Sequence, residues 1–152
     1  MRQDADRTLA WWELHQASAL LRGELSRRLE AEADMTVSER DVLWYLANTV
    51  DRRLTMSDLA GRLMMSRSGV TRLVDRLERR GWVRREVVPE NRRQTFAALT
   101  TAGTKAARRS TPVAWRGQQE LFDQRLTSTD VADLRRVLGK LLRRLDVLDG
   151  HG

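Results

Sequence analysis

Apolar residues return at helical spacing over most of the chain and at strand spacing over one short stretch. Leu14, Leu21, Leu25 and Leu29 recur at steps of seven and four, a stripe along one face of a helix from about Thr8 to Glu30. Three later apolar runs each follow a hydroxyl residue that has an aspartate three positions on. Ser38 with Asp41 precedes Val42, Leu43 and Leu46; Thr55 with Asp58 precedes Leu59, Ala60 and Leu63; Thr127 with Asp130 precedes Val131, Leu134, Leu138, Leu141 and Leu145. A side-chain oxygen at the cap satisfies a free backbone N–H, and the acid opposes the positive end of the helix dipole, so each pair predicts a helix start.

The second of these helices, Thr55 to Leu63, is followed after the short joint Met64 to Ser66 by another, Arg67 to Arg80. Val70, Leu73, Val74 and Leu77 lie at i, i+3, i+4 and i+7 and face a core. Arg67, Ser68, Thr71, Arg72, Arg76 and Arg79 are left for the rim and outer face, and Gly81 ends the helix. The period then changes. "WVRREVV" and "QTFAALT" favour strands and flank the polar turn "PENRR", which predicts a hairpin. Helix, joint, helix and hairpin make a winged helix-turn-helix.

The last third is predicted to be helical over Thr101 to Leu126 and Thr127 to Leu148. Pro112 lacks a backbone donor, so it kinks or interrupts the first of these, or restarts it with Thr111 as cap. The leucine face of the final helix exceeds what a small winged domain can cover, which implies a partner helix from a second copy. The fold class is thus mainly α with a small β-hairpin wing: a dimerisation helix over 1–35, a winged helix-turn-helix over 36–100 and dimerisation helices over 101–152.

Charge sharpens this picture. Net charge is +7, and the window Arg62 to Arg93 supplies +6 of it, ten arginines against Asp75, Glu78, Glu86 and Glu90. Excess charge concentrated on a helix-turn-helix and its wing points to a polyanion, and duplex DNA is the natural one. Ser66 and Ser68 near a helix N-terminus suit phosphate. Arg67 and Arg72 are long enough to present paired donors to guanine O6 and N7. Gly69 permits close backbone approach. The plainer reading is a solvated arginine face with internal pairs such as Asp75–Arg79, since 26 of the 28 basic residues are arginine wherever they fall.

Other classes find less support. The absence of cysteine removes disulfides, thiolate metal sites and thiol redox chemistry. His15 and His151 are far apart, and no nucleophile, acid–base pair or glycine-rich phosphate loop is recognisable, so an enzyme, a metal and a cofactor are not expected. No apolar run is long enough to span a membrane and the N-terminus lacks a signal core, so a cytoplasmic location is expected. The best rival is a winged helix that binds RNA or docks on protein. Single-stranded RNA calls for exposed aromatics, however, and Trp82 and Phe96 sit at strand positions expected to face the core.

The stretches "SDLAGRLMMSRSGVTRLVDRLERRGWVRR" and "PENRRQTFAALTTAG" resemble the MarR family of bacterial transcriptional regulators; "VTRLVDRLE", a following Gly and "LTxxG" after the hairpin carry the resemblance together. It covers about Ser38 to Gly103 closely and the flanking helices by length and order. It implies a homodimer with interlocked terminal helices and two winged domains on successive major grooves of an inverted repeat. Ser66 to Arg76 would lie in the recognition helix. The loop Glu90 to Gln94 would be the wing tip, with Arg93, and Arg92 beside it, entering the minor groove. Asn91 stands where the family commonly has an aspartate that steadies the wing arginine, and Pro112 falls in a helix often uninterrupted in the family. Relatives with a pocket for a small aromatic or phenolic effector suggest one here near Trp11, Trp12, His15 and Arg22. Packing between helices is the plainer role for the two tryptophans and the histidine, as for Trp44, Trp82 and Trp115.

Overall fold

A computed structural model describes the backbone of residues 2–88 and 91–149 and the side chains of residues 4–87 and 94–143. It divides into two compact units, the first ending at Trp115 and the second beginning at Arg116. In the first unit, helix α1 (Arg2–Ala33) runs beyond both ends of its leucine stripe. Only its C-terminal end is packed: Leu29 and Ala33 are buried, whereas residues 4–23 are exposed throughout. Asp34 then turns the chain with φ 51°.

Helix α2 (Val37–Ala47) is capped by Thr36 rather than by the expected Ser38. Thr36 Oγ1 accepts from Glu39 N at 3.2 Å and Glu39 Oε2 accepts from Thr36 N at 2.9 Å. This reciprocal pair closes two open donors at once, which a cap at Ser38 with Asp41 does not match. Ser38 and Asp41 instead meet Arg22 of α1, at 3.2 and 3.9 Å.

A short strand β1 (Arg53–Thr55), absent from the sequence reading, precedes α3 (Met56–Leu63). Three residues are too few to show a period; pairing with Phe96, Ala97 and Ala98 makes the strand. Thr55 caps α3 as expected, accepting from Asp58 N at 3.0 Å. Met64 takes the left-handed conformation in the joint, and α4 (Arg67–Arg79) follows, with Gly81 at φ 68° beyond its end. Val70, Leu73, Val74 and Leu77 of α4 are buried against Leu43, Leu46 and Leu59 in a single core.

Strands β2 (Val83–Val88) and β3 (Asn91–Leu99) form the hairpin, in a sheet ordered β1-β3-β2. The expected loop Glu90 to Gln94 is shorter than the sequence suggested, because strand backbone begins at Asn91. A bulge between Val87 and Val88 shifts the register there. Pro89 and Glu90 lie outside the described residues.

Helix α5 (Thr101–Gln118) starts at Thr100, whose Oγ1 accepts from Gly103 N at 2.9 Å. Pro112 neither interrupts nor restarts it. Thr111 Oγ1 donates back to Ala107 O at 3.0 Å, the bond of a mid-helix threonine, and Ser110 does the same at 2.8 Å.

In the second unit the chain passes through a π-helical turn (Gln119–Asp123) into α6 (Ser128–Asp149). Thr127 and Asp130 cap α6 reciprocally, with Asp130 N to Thr127 Oγ1 at 3.2 Å and Thr127 N to Asp130 Oδ2 at 2.9 Å. Hydrogen bonds from the Thr127 hydroxyl and then its amide hold the Asp130 carboxyl below the ordinary 3.8. Because its folded value is depressed, the carboxylate contributes fully above pH 3.8 and its contribution is lost as pH falls below that. Circular dichroism on acidification should show a helix-fraying step below that pH which Thr127→Ala removes; an identical acid profile in the variant would refute it. Val131, Leu134 and Leu138 are half-buried, and Val137, Leu141 and Leu142 are exposed. The side chains of Leu145 and His151 lie outside the described residues.

Candidate nucleic-acid interface

The N-terminal turn of α4 is closed by Ser66, whose Oγ accepts from Gly69 N at 3.1 Å and lies 3.2 Å from Ser68 Oγ. A Cβ at Gly69 would stand 3.2 Å from Ser66 Oγ and 3.3 Å from Met65 Cε, so this glycine gives room to the capping turn. Thr71 Oγ1 donates to Arg67 O at 2.9 Å. Arg67, Ser68, Thr71, Arg72, Arg76 and Arg79 are all exposed.

The acids of α4 do not neutralise these arginines. Asp75 pairs with Arg85 of β2 at 2.7 Å, and Glu78 accepts from the Arg85 amide at 2.8 Å and pairs with its guanidinium. The expected Asp75–Arg79 pair is not made. Among the described residues no carboxylate lies within ion-pair distance of Arg67, Arg72 or Arg79, while Arg76 is 3.9 Å from the buried Glu39. The outer face of α4 is therefore a row of cations whose counter-charges have been taken by the hairpin.

Behind this face a network absent from the sequence reading fixes the C-terminal end of α4. The Arg80 guanidinium lies 3.7 Å from the Trp82 ring centroid and donates to Asp34 O and Oδ2, both at 2.6 Å, with Glu39 Oε2 at 3.5 Å. Arg109 of α5 donates to Ala33 O at 2.9 Å and also approaches Trp82. These pairs join residues up to 76 apart, beyond any local pattern.

The side chains of Asn91, Arg92 and Arg93 lie outside the described residues, so the wing is placed by its backbone alone. The aromatics of the basic window and of the strand that follows it are both covered by arginine: Trp82 is buried under Arg80, and half-buried Phe96 lies 5.1 Å beneath Arg53.

Of the four α1 residues expected to line a pocket, only Trp11 and His15 meet, and among the described residues no closed pocket forms around them. Trp11 stacks with His15 at 4.4 Å between centroids, but Trp11 and Trp12 are each 59% exposed and His15 is exposed too. Within the chain they make no core, and neither do the exposed Trp44 and Trp115; Trp82 alone of the five tryptophans is structural in that sense. Arg22 lines a separate cavity of about 450 Å³ with Ser38, Asp41, Tyr45, Arg62 and the Leu63–Met65 joint. Among the described residues no cluster of histidines and acids could hold a metal ion, and no helix is long and apolar enough to cross a membrane.

The model of the MarR family matches residues 33–94, from the end of α1 into β3. Sco3205, a MarR family transcriptional regulator from Streptomyces coelicolor crystallised in complex with DNA, superposes with a TM-score of 0.82. It is 34% identical, over 93% of this chain and 86% of that one. The chain belongs to the MarR family. Other MarR-type relatives include the transcriptional repressor MprA of Escherichia coli K12, 33% identical over 63% of this chain and 54% of that protein. The transcriptional activatory protein BadR of Rhodopseudomonas palustris is 35% identical over 61% of this chain and 53% of its own length. The chain thus spans about half the length of the curated relatives it matches. These MarR relatives are transcriptional regulators rather than enzymes.

Proposed function

We propose that this MarR-family chain is a sequence-specific duplex-DNA-binding regulator that acts in the cytoplasm as a homodimer on an inverted repeat. The observation that carries this is the unneutralised row Arg67, Arg72 and Arg79 on α4, whose neighbouring acids are held by Arg85. Cations left without carboxylates on a capped, exposed helix are matched by phosphates and guanine edges. The DNA complex of Sco3205 supports the same reading. Repression is the proposed outcome, by likeness to MprA. An RNA reading is disfavoured because Trp82 and Phe96, the aromatics of the hairpin region available for base stacking, are covered by arginines.

The dimer rests on apolar surface that one protomer leaves bare. Leu9, Trp11, Trp12 and Leu20 on α1 are each more than half exposed, and Val137, Leu141 and Leu142 on α6 nearly so. Apolar area of this kind gains about 25 cal/mol per Å² when covered. A small aromatic or phenolic anion that binds beside Trp11, Trp12 and His15 is the proposed signal for release; Arg22, held by Ser38 and Asp41, is not part of that site. A 100-fold effect on DNA affinity requires about 2.7 kcal/mol of preference for the non-binding state.

Selection of bound fragments from a random duplex pool, with sedimentation at micromolar protein, tests the assembly. A two-fold symmetric site with half-sites about 10 bp apart and a dimeric boundary are expected. Recovery of an asymmetric single half-site, or a monomer, would refute it.

A further inference from the structure

A second basic cluster lies away from α4, at the end of the hairpin opposite the wing turn. There a cavity of about 370 Å³ is lined by Arg52, Arg84, Thr101, Thr104, Lys105 and Arg108 among others, and no acidic residue lines it. Arg84 is occupied by Glu86, at 2.6 and 2.9 Å. No carboxylate among the described residues lies within ion-pair distance of Arg52, Lys105 or Arg108. Three like charges therefore face one small space without compensation.

The backbone holds one of them there. Arg52 adopts φ 50°, a conformation that costs an arginine about 1–2 kcal/mol. It is retained because Arg52 O accepts from Leu99 N at 2.9 Å, which fixes the residue to the end of β3. Its guanidinium reaches Thr104 Oγ1 at 3.5 Å across the cavity. The first turn of α5 opens onto the same space and adds the positive end of its dipole.

We propose that the cavity between Arg52, Lys105, Arg108 and the first turn of α5 is a binding site for a phosphate group. Tetrahedral phosphate oxygens accept from guanidinium forks, an ammonium and the Thr101 hydroxyl together, and a multiply charged anion matches three uncompensated cations better than a carboxylate does. The group comes either from a free polyphosphate-bearing anion or from DNA backbone flanking the operator. β2 is six residues long, so at about 3.3 Å per residue the cavity lies roughly 16–20 Å from the wing turn and is a separate contact in either case.

The test uses the full chain and inorganic tripolyphosphate, followed through the amide resonances of Thr101, Ala102, Gly103 and Thr104. Saturable shifts at these four amides are expected. Lys105→Gln with Arg108→Gln, both exposed on α5 and checked by circular dichroism for intact folding, should weaken them about tenfold or more. Duplex binding by the same variant separates the two sources. Weakened duplex binding with a shallower salt dependence identifies backbone phosphate. Unchanged duplex binding together with loss of the tripolyphosphate response identifies a free anion. If the variant leaves both the amide shifts and duplex binding as in the wild type, or if neither ligand acts at these residues at all, the proposal is overturned. Wild-type duplex affinity reports on the α4 interface independently.

Discussion

Gly103→Ala is expected to lower folding stability by about 3 kcal/mol, the upper end of what an extra methyl costs in a closed space. A Cβ at this position would stand 2.0 Å from Trp82 O, 2.9 Å from Trp82 C and 2.8 Å from Leu99 Cδ1. The Leu99 side chain can rotate away, but the carbonyl cannot. Trp82 O accepts from both Thr100 N and Thr100 Oγ1 at 3.1 Å, and the same hydroxyl caps α5. Relief therefore requires moving α5 off the hairpin. Alanine gains at most about 1 kcal/mol of helix propensity over glycine, too little to reverse the sign. Urea unfolding of the two proteins decides the matter; equal or higher stability in the variant would show that α5 adjusts freely.

The double variant Arg67→Ala, Arg72→Ala is expected to bind its selected operator about 1,000-fold more weakly, roughly 4 kcal/mol for two lost paired contacts. Both side chains are exposed and neither is held by a carboxylate, so the folded state loses little and the deficit falls on the complex. The single variants divide the roles. If Arg72 reads a base, Arg72→Ala relaxes selectivity at one position per half-site; if it holds a phosphate, all sequences weaken alike. Arg93→Ala in the wing should instead reduce the dependence of affinity on salt by about one charge. An operator affinity within twofold of the wild type for the double variant, at moderate salt, would place the interface elsewhere.

What the chain displayed openly was whatever repeats locally. The helix period of Val70, Leu73, Val74 and Leu77 and the caps at Thr55 and Thr127 were legible because each signal spans fewer than a dozen residues. The Ser38 cap was misplaced for the same reason: Thr36 with Glu39 is an equally good pattern two residues earlier, and only the reciprocal bonds distinguish them. β1 escaped because its partners lie some 40 residues away. The basic helix was legible in the site, but its isolation was not. That required Arg85, seven residues beyond Glu78 and on another element, to draw away both acids. The Arg80–Trp82–Asp34 cluster depends on pairs 46 apart and leaves no periodic trace.

The capture of Asp75 and Glu78 by Arg85 also bears on the portability of α4. Excised as a peptide or grafted onto another scaffold, the helix regains its own acids. Asp75 then finds Arg79 four positions along and Arg72 three positions back, the spacings at which helical side chains meet. The transplanted helix would keep its sequence and its amphipathic face yet present a quenched surface to DNA. The charge that α4 presents is to that extent a joint property of helix and hairpin, and Arg85 must travel with any graft of it.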